Sequence, residues 1–199
     1  MMYDVIYADP PWWYNKRAQS YEQWRDGRQT KTGVNRTRFG GGAEKHYKLM
    51  KDDELIALRP LIDDWANQNC ALFMWATCPR LDSAINLIKA WGFGYATVAF
   101  VWEKVNRTDG GPIFNPGYYT ASNAELVLLG VRGTMRPQQP MIQQVIRAPR
   151  REHSRKPDEV WRRIELMYPA AKRLEMFARG AWPNWDVWGL EAPAMEATA

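Results

Sequence analysis

One stretch constrains this chain more than any other. The apolar run Tyr3-Asp4-Val5-Ile6-Tyr7-Ala8 passes directly into Asp9-Pro10-Pro11-Trp12. The run reads as a short, mostly buried strand. The double proline must end it, because proline brings no N–H to a sheet ladder and holds the residue before it extended. A rigid corner at the carboxyl end of a strand is therefore expected, and open α/β sheets bind their ligands at such ends.

That corner gathers a carboxylate, backbone carbonyls with few local N–H partners and a flat indole on neighbouring residues. Two acceptors and a stacking surface suit a planar ring that carries an exocyclic amine. The amine donates to Asp9 and to a carbonyl at Pro10, while Trp12 stacks on the ring. Adenine fits; an ordinary Asp-Pro turn is the plainer alternative.

The 199 residues, 46% hydrophobic and 25% charged, suit one domain with a substantial core, expected over residues 1–191 with a frayed tail at 192–199. No apolar run of about 18 residues and no signal-peptide pattern is present, so a cytoplasmic protein without membrane contact is expected. Cys70 and Cys78 suit reduced thiols, and two histidines, His46 and His153, are too few and too far apart for zinc. No metal is expected.

The net charge of +5 is compatible with a polyanionic partner. Between residues 15 and 45, Lys16, Arg17, Arg25, Arg28, Lys31, Arg36, Arg38 and Lys45 face only Glu22, Asp26 and Glu44, with Tyr14, Tyr21, Trp24 and Phe39 interleaved. The stretch reads either as a solvated insertion or as a substrate clamp that meets phosphates through Lys and Arg and stacks bases on its aromatics. Its position beside Asp9 favours the clamp.

Downstream, Asp52 or Asp53 can cap a helix whose Leu55, Leu58, Leu61, Ile62 and Trp65 share a face, with Pro60 interrupting it. Cys70 to Ala76 has the continuous apolarity of a central parallel strand. Pro79 opens a second helix that closes at Gly92, and Tyr95 to Trp102 is a third strand. Ala124 to Val131 is a fourth, a helix begins at Pro157, and Arg173 to Ala178 is a last long strand. The β-α-β-α-β rhythm indicates an α/β, doubly wound, mostly parallel sheet.

Asp9-Pro10-Pro11-Trp12 resembles the catalytic motif of the MT-A70-like N6-adenine methyltransferases, a family dependent on S-adenosylmethionine. Similar stretches follow in the family's order: His46-Tyr47, Trp91-Gly92-Phe93, Trp102-Glu103-Lys104, His153 to Glu159, Glu175 to Arg179 and Asn184 to Gly189. The resemblance implies a Rossmann-like methyltransferase fold in circularly permuted order, of bacterial or phage type, and direct methyl transfer to adenine N6 in DNA, with RNA or a catalytically silent partner subunit as alternatives. It implies a catalytic set of Asp9, Pro10, Pro11 and Trp12. Cofactor contacts are expected from Asp4, Val5, Ile6, Asp9, Lys156, Glu175, Phe177, Arg179 and Asn184. Substrate contacts are expected from Trp12, Tyr14, Arg25, Arg28, Arg36, Arg38, His46 and Tyr47. A monomer or homodimer is expected, with a partner subunit as a further option. Leu190 and Glu191 depart from the polar ending common among eukaryotic relatives.

Overall fold

The computed structural model describes residues 2–14, 49–113, 120–151 and 155–189. Seven strands form one mixed sheet: β1 (Tyr3–Ala8), β2 (Ala66–Ala76), β3 (Gly94–Val105), β4 (Ala124–Arg132), β5 (Val145–Pro149), β6 (Arg173–Met176) and β7 (Asp186–Trp188), in the order β5-β3-β4-β2-β1-β6-β7. The first strand is thus central, between the second and the sixth.

The β1–β2, β1–β6, β6–β7 and β3–β5 pairs are parallel, whereas β4 runs antiparallel to both β2 and β3. The expected central parallel strand, β2, is therefore parallel on one side only. The cause lies in the connection: no helix lies among the described residues between Val105 and Ala124, and a parallel return needs a crossover.

Helices α1 (Asp52–Ile56), α2 (Arg59–Trp65) and α3 (Leu81–Ala90) are accompanied by α4 (Glu159–Met167). Lys51, not Asp52 or Asp53, stands at the α1 N-cap, and its backbone N–H donates to Glu54 at 2.8 Å. Pro60 falls in the first turn of α2, where its missing N–H costs nothing. Gly92 has φ +81 after α3, and a Cβ there would press on the Arg59 guanidinium, which donates to Ala90 O at 2.7 Å.

Alternation along the strands divides the core. Ile6, Leu72, Met74, Leu128 and Leu174 pack with Leu55, Ile62, Leu87 and Ile88 of α1, α2 and α3. Val5, Tyr7, Phe73, Trp75, Phe100 and Trp102 point the other way and pack with Val160, Trp161 and Ile164 of α4. No helix among the described residues is long and apolar enough to cross a membrane.

Candidate active site at the carboxyl end of the central strand

Pro11 shapes the corner after β1. Its fixed φ suits a three-residue turn, closed by the Trp12 N–H donating to Pro10 O at 2.8 Å. The Met50 N–H donates to Pro11 O at 2.8 Å, and the Trp13 N–H to Met50 O at 2.9 Å. Contrary to the sequence expectation, both proline carbonyls already have partners, so each offers a ligand only its second lone pair.

Trp12 also departs from expectation. The turn carries it onto the aliphatic side of the sheet, where it is 5% exposed and its indole N–H donates to Trp75 O at 3.2 Å. The Arg80 guanidinium lies over its ring, 5.4 Å from the centroid. Trp12 therefore anchors the corner and offers no open face for a base. Trp13, 40% exposed, presents the more open indole among the described residues of the corner; the Trp12-Trp13 doublet was the available signal. Tyr14 bonds Thr77 Oγ1 at 2.8 Å, and its phenol is raised by burial while feeling Glu125, Lys156 and Asp9.

Charge gathers on the α4 side at the edge where β1 and β3 end and the antiparallel β4 begins. Lys156, just ahead of α4, places Nζ 3.1 Å from Asp9 Oδ1 and 3.2 Å from Glu125 Oε2. Glu125 Oε1 accepts from Lys104 Nζ at 2.5 Å. Burial raises the Asp9 carboxyl above the usual range, and Lys156 and Arg179 oppose that rise while Glu125 adds to it. Burial alone would raise Glu125, but Lys156 and Lys104 outweigh it and hold it low. Burial works against the Lys156 ammonium, yet Asp9 and Glu125 together raise it. Asp9 keeps 25% side-chain exposure, so its carboxylate is open to a ligand. Glu125 and Lys104 were not among the expected site residues; a charge directly at the end of a buried apolar strand was the clue.

Glu175 on β6 pairs in register with Tyr7 and lies on the same side of the sheet. The residue is 9% exposed, and its carboxylate accepts the Trp161 indole N–H at 2.9 Å. Burial, with a contribution from Asp9, pushes it up to about 7 against the lowering by Trp161. Beyond β6, Phe177 has φ 61 and sits edge-on to Trp188 at 5.5 Å, and the exposed Arg179 acts electrostatically on Asp9. The Ala178 N–H donates to Trp188 O at 3.0 Å, an approach that only glycine at 189 permits, since a Cβ there would lie 2.6 Å from Ala178 O. Left-handed backbone at a non-glycine residue is strained and concentrates at functional sites.

Four expected cofactor residues lie elsewhere. Asp4 is at the opposite end of β1, where its carboxylate accepts from Asn67 at 2.6 Å and from the Lys172 N–H at 2.9 Å. Val5 and Ile6 are fully buried on opposite faces of the sheet. Because β7 is parallel to β6, the connection returns toward the amino end of β6 before β7 starts; Asp186 aligns with Leu174, and Leu174 with Ile6, and Asn184, with φ 66, stands in the turn ahead of β7. Arg25, Arg28, Arg36, Arg38, His46 and Tyr47 fall outside the described residues. Among the described residues, no group of three or more His, Cys, Asp or Glu is placed to hold a metal.

The chain is 38% identical over 193 residues to the type II methyltransferase M.MunI of Mycoplasma sp, covering 96% of this chain and 78% of that protein. It is 30% identical to the N(6)-adenosine-methyltransferase MT-A70-like protein of Arabidopsis thaliana and 30% identical to the human N(6)-adenosine-methyltransferase catalytic subunit METTL3. These two matches cover 68% and 73% of this chain but only 19% and 25% of the plant and human proteins. The MT-A70 family profile matches residues 3–191, and the chain belongs to the MT-A70 family.

Proposed function

We propose that the chain transfers a methyl group from S-adenosylmethionine to N6 of adenine in DNA. The observation that carries the reading is the partly exposed Asp9 carboxylate held 3.1 Å from Lys156 at the end of β1. The amine lone pair of adenine is delocalised into the ring, so it is a weak nucleophile until the amine begins to pyramidalise. By accepting an amine N–H, Asp9 favours that change and aims the lone pair; the free lone pair of Pro10 O takes the second N–H. Asp9 must be ionised to do this, and Lys156 supplies the charge that opposes its burial.

The residues present fit the methyl donor. Asp9 adds to the rise of the buried Glu175 carboxyl, so a cation beside the two carboxylates is favoured. Asp9, Lys156, Glu175, Phe177 and Arg179 are the residues that would hold it. When bound, it supplies an electrophilic methyl group next to a sulfonium charge. The central position of β1 between β2 and β6 supports the circularly permuted methyltransferase arrangement.

A type II methyltransferase is an enzyme of DNA modification, which favours DNA; the relatives named for N(6)-adenosine favour RNA as the second reading. Arg25, Arg28, Arg36, Arg38, His46 and Tyr47 remain part of the proposed substrate-binding stretch, with Tyr14 and the exposed Trp13 beside the corner. A target base within a duplex has to leave the stack to reach Asp9. Tritium transfer to matched duplex DNA, single-stranded DNA and RNA, followed by digestion to nucleosides, tests the reading. Label in N6-methyldeoxyadenosine is expected; label confined to RNA would replace DNA as the substrate.

A further inference from the structure

We infer that Lys104 is a positioning residue for Asp9, acting through Glu125 and Lys156 without touching the reacting groups. Four side chains, from the corner after β1, from β3 and β4 and from the segment before α4, form one row of alternating charge: Asp9, Lys156, Glu125, Lys104. Each Glu125 oxygen takes a different lysine, Oε1 from Lys104 at 2.5 Å and Oε2 from Lys156 at 3.2 Å. Lys156 is thereby shared between Glu125 and Asp9. All four side chains are at least three-quarters buried, so water screens the row weakly.

The row lies on an aromatic floor that fixes its spacing. Lys156 Nζ is 5.1 Å from the centroid of the Trp75 ring, and Lys104 Nζ is 5.1 Å from that of Trp102. The two rings meet edge-on at 6.1 Å. Each ring is pinned by its own N–H, Trp102 to Ala148 O at 2.8 Å and Trp75 to the Tyr7 hydroxyl at 2.5 Å. Cation–π contacts at this depth hold an ammonium in place as well as attract it. Nothing in the sequence joins Lys104 to Asp9; only the antiparallel β4, which carries Glu125 between β3 and β2, does so.

The charge arithmetic gives the consequence. With Lys104 present the row is neutral overall. Without it, two carboxylates share one ammonium, Glu125 draws on Lys156, and Asp9 takes up a proton at higher pH. The other groups that Asp9 feels are Tyr7, Tyr14, Glu175 and Arg179, and none of them is altered by changing Lys104.

This inference rests on methyl transfer at Asp9, and the test separates the two. The kcat–pH profile is measured for wild type, Lys104→Met, Lys104→Gln, Lys104→Arg, Glu125→Gln and the Lys104→Met/Glu125→Gln double variant, each checked for folding by circular dichroism. Lys104→Met is expected to move the acid limb up by about one pH unit, so that transfer below the limb falls about tenfold while the alkaline plateau holds. Lys104→Gln keeps a donor for Glu125 without the charge and is expected to shift the same way. Glu125→Gln is expected to shift the limb down, the double variant to return it near wild type, and Lys104→Arg to leave it unchanged. An unshifted limb in Lys104→Met and Lys104→Gln, or a loss by the same factor at every pH, would overturn the role. Wild type that methylates no polymer would instead sink the reading of function.

Discussion

The two faces of the sheet are built from the same strands and behave as different materials. Toward α1, α2 and α3, β2 presents Leu72 and Met74, and the partners are largely aliphatic. Toward α4, the alternate residues Phe73 and Trp75 meet Tyr7, Trp102, Trp161 and Tyr168, so the second face is aromatic and contains N–H and O–H groups. At the sheet edge where β1, β3 and β6 end and the antiparallel β4 begins, that second face carries Asp9, Glu125, Lys104 and Glu175. The first face is aliphatic over its centre and keeps its indoles at the margins, where Trp12 and Trp91 bond backbone carbonyls and Arg80 lies over Trp12. An aromatic face excludes water and also seats cations and indole donors, which is how a partly buried charge row persists.

Breaking the row should have the largest effect. Lys156→Met leaves Asp9 and Glu125 facing each other without their shared cation; kcat for methyl transfer should fall about 10²- to 10³-fold while the circular dichroism spectrum is kept. A loss under tenfold would show that Asp9 does not depend on Lys156.

The aliphatic face should respond in the opposite sense. Leu72→Ala removes a fully buried side chain and should cost about 3 kcal/mol in denaturant unfolding, with kcat per folded molecule near wild type. A kcat loss comparable to that of Lys156→Met would erase the distinction between the faces.

Glu175 sharpens the contrast through pH. Its proton is held more tightly in the folded chain, at about 7, than at the ordinary 4.5. The folded state therefore binds more protons between these values, and stability falls as pH rises from about 4.5 to about 7, by at most about 3 kcal/mol. Glu175→Gln should flatten that slope in cofactor-free protein and raise the melting temperature at pH 8 relative to wild type. An unchanged slope would place the charge cost elsewhere.

The smallest change expected is at the anchor. Trp12→Phe keeps an apolar ring but loses the hydrogen bond to Trp75 O, a cost of about 1 kcal/mol in unfolding free energy. Were Trp12 a stacking platform for the base, the loss would appear instead as a raised KM for nucleic acid.

Much of this was legible in the residues. The strand entering Pro10-Pro11, the helix ending at Gly92 and the placement of Asp9 at a strand end follow from proline and glycine chemistry and from apolar runs. The direction of β4 was not legible as read, because an apolar run looks alike in either direction; only the lack of a helical crossover before it carries that information. Three-residue β7 is too short for a periodic signal. Asp4 and Asn184 were misplaced because family resemblance orders motifs along the chain, whereas register decides which end of the sheet a residue occupies. Glu125 and Lys104 belong to the site only through pairing between strands distant in sequence.

The central claim is that Asp9 accepts the exocyclic amine of adenine. Its most direct measurement is single-turnover methyl transfer by wild type and Asp9→Asn to an adenine-containing duplex, with S-adenosylmethionine affinity measured separately by calorimetry. Asparagine keeps the size of the side chain but removes the charge and one acceptor oxygen. Transfer should fall at least about 10²-fold while cofactor affinity changes only a few-fold. Transfer at the wild-type rate, or a loss explained entirely by weaker cofactor binding, would contradict it.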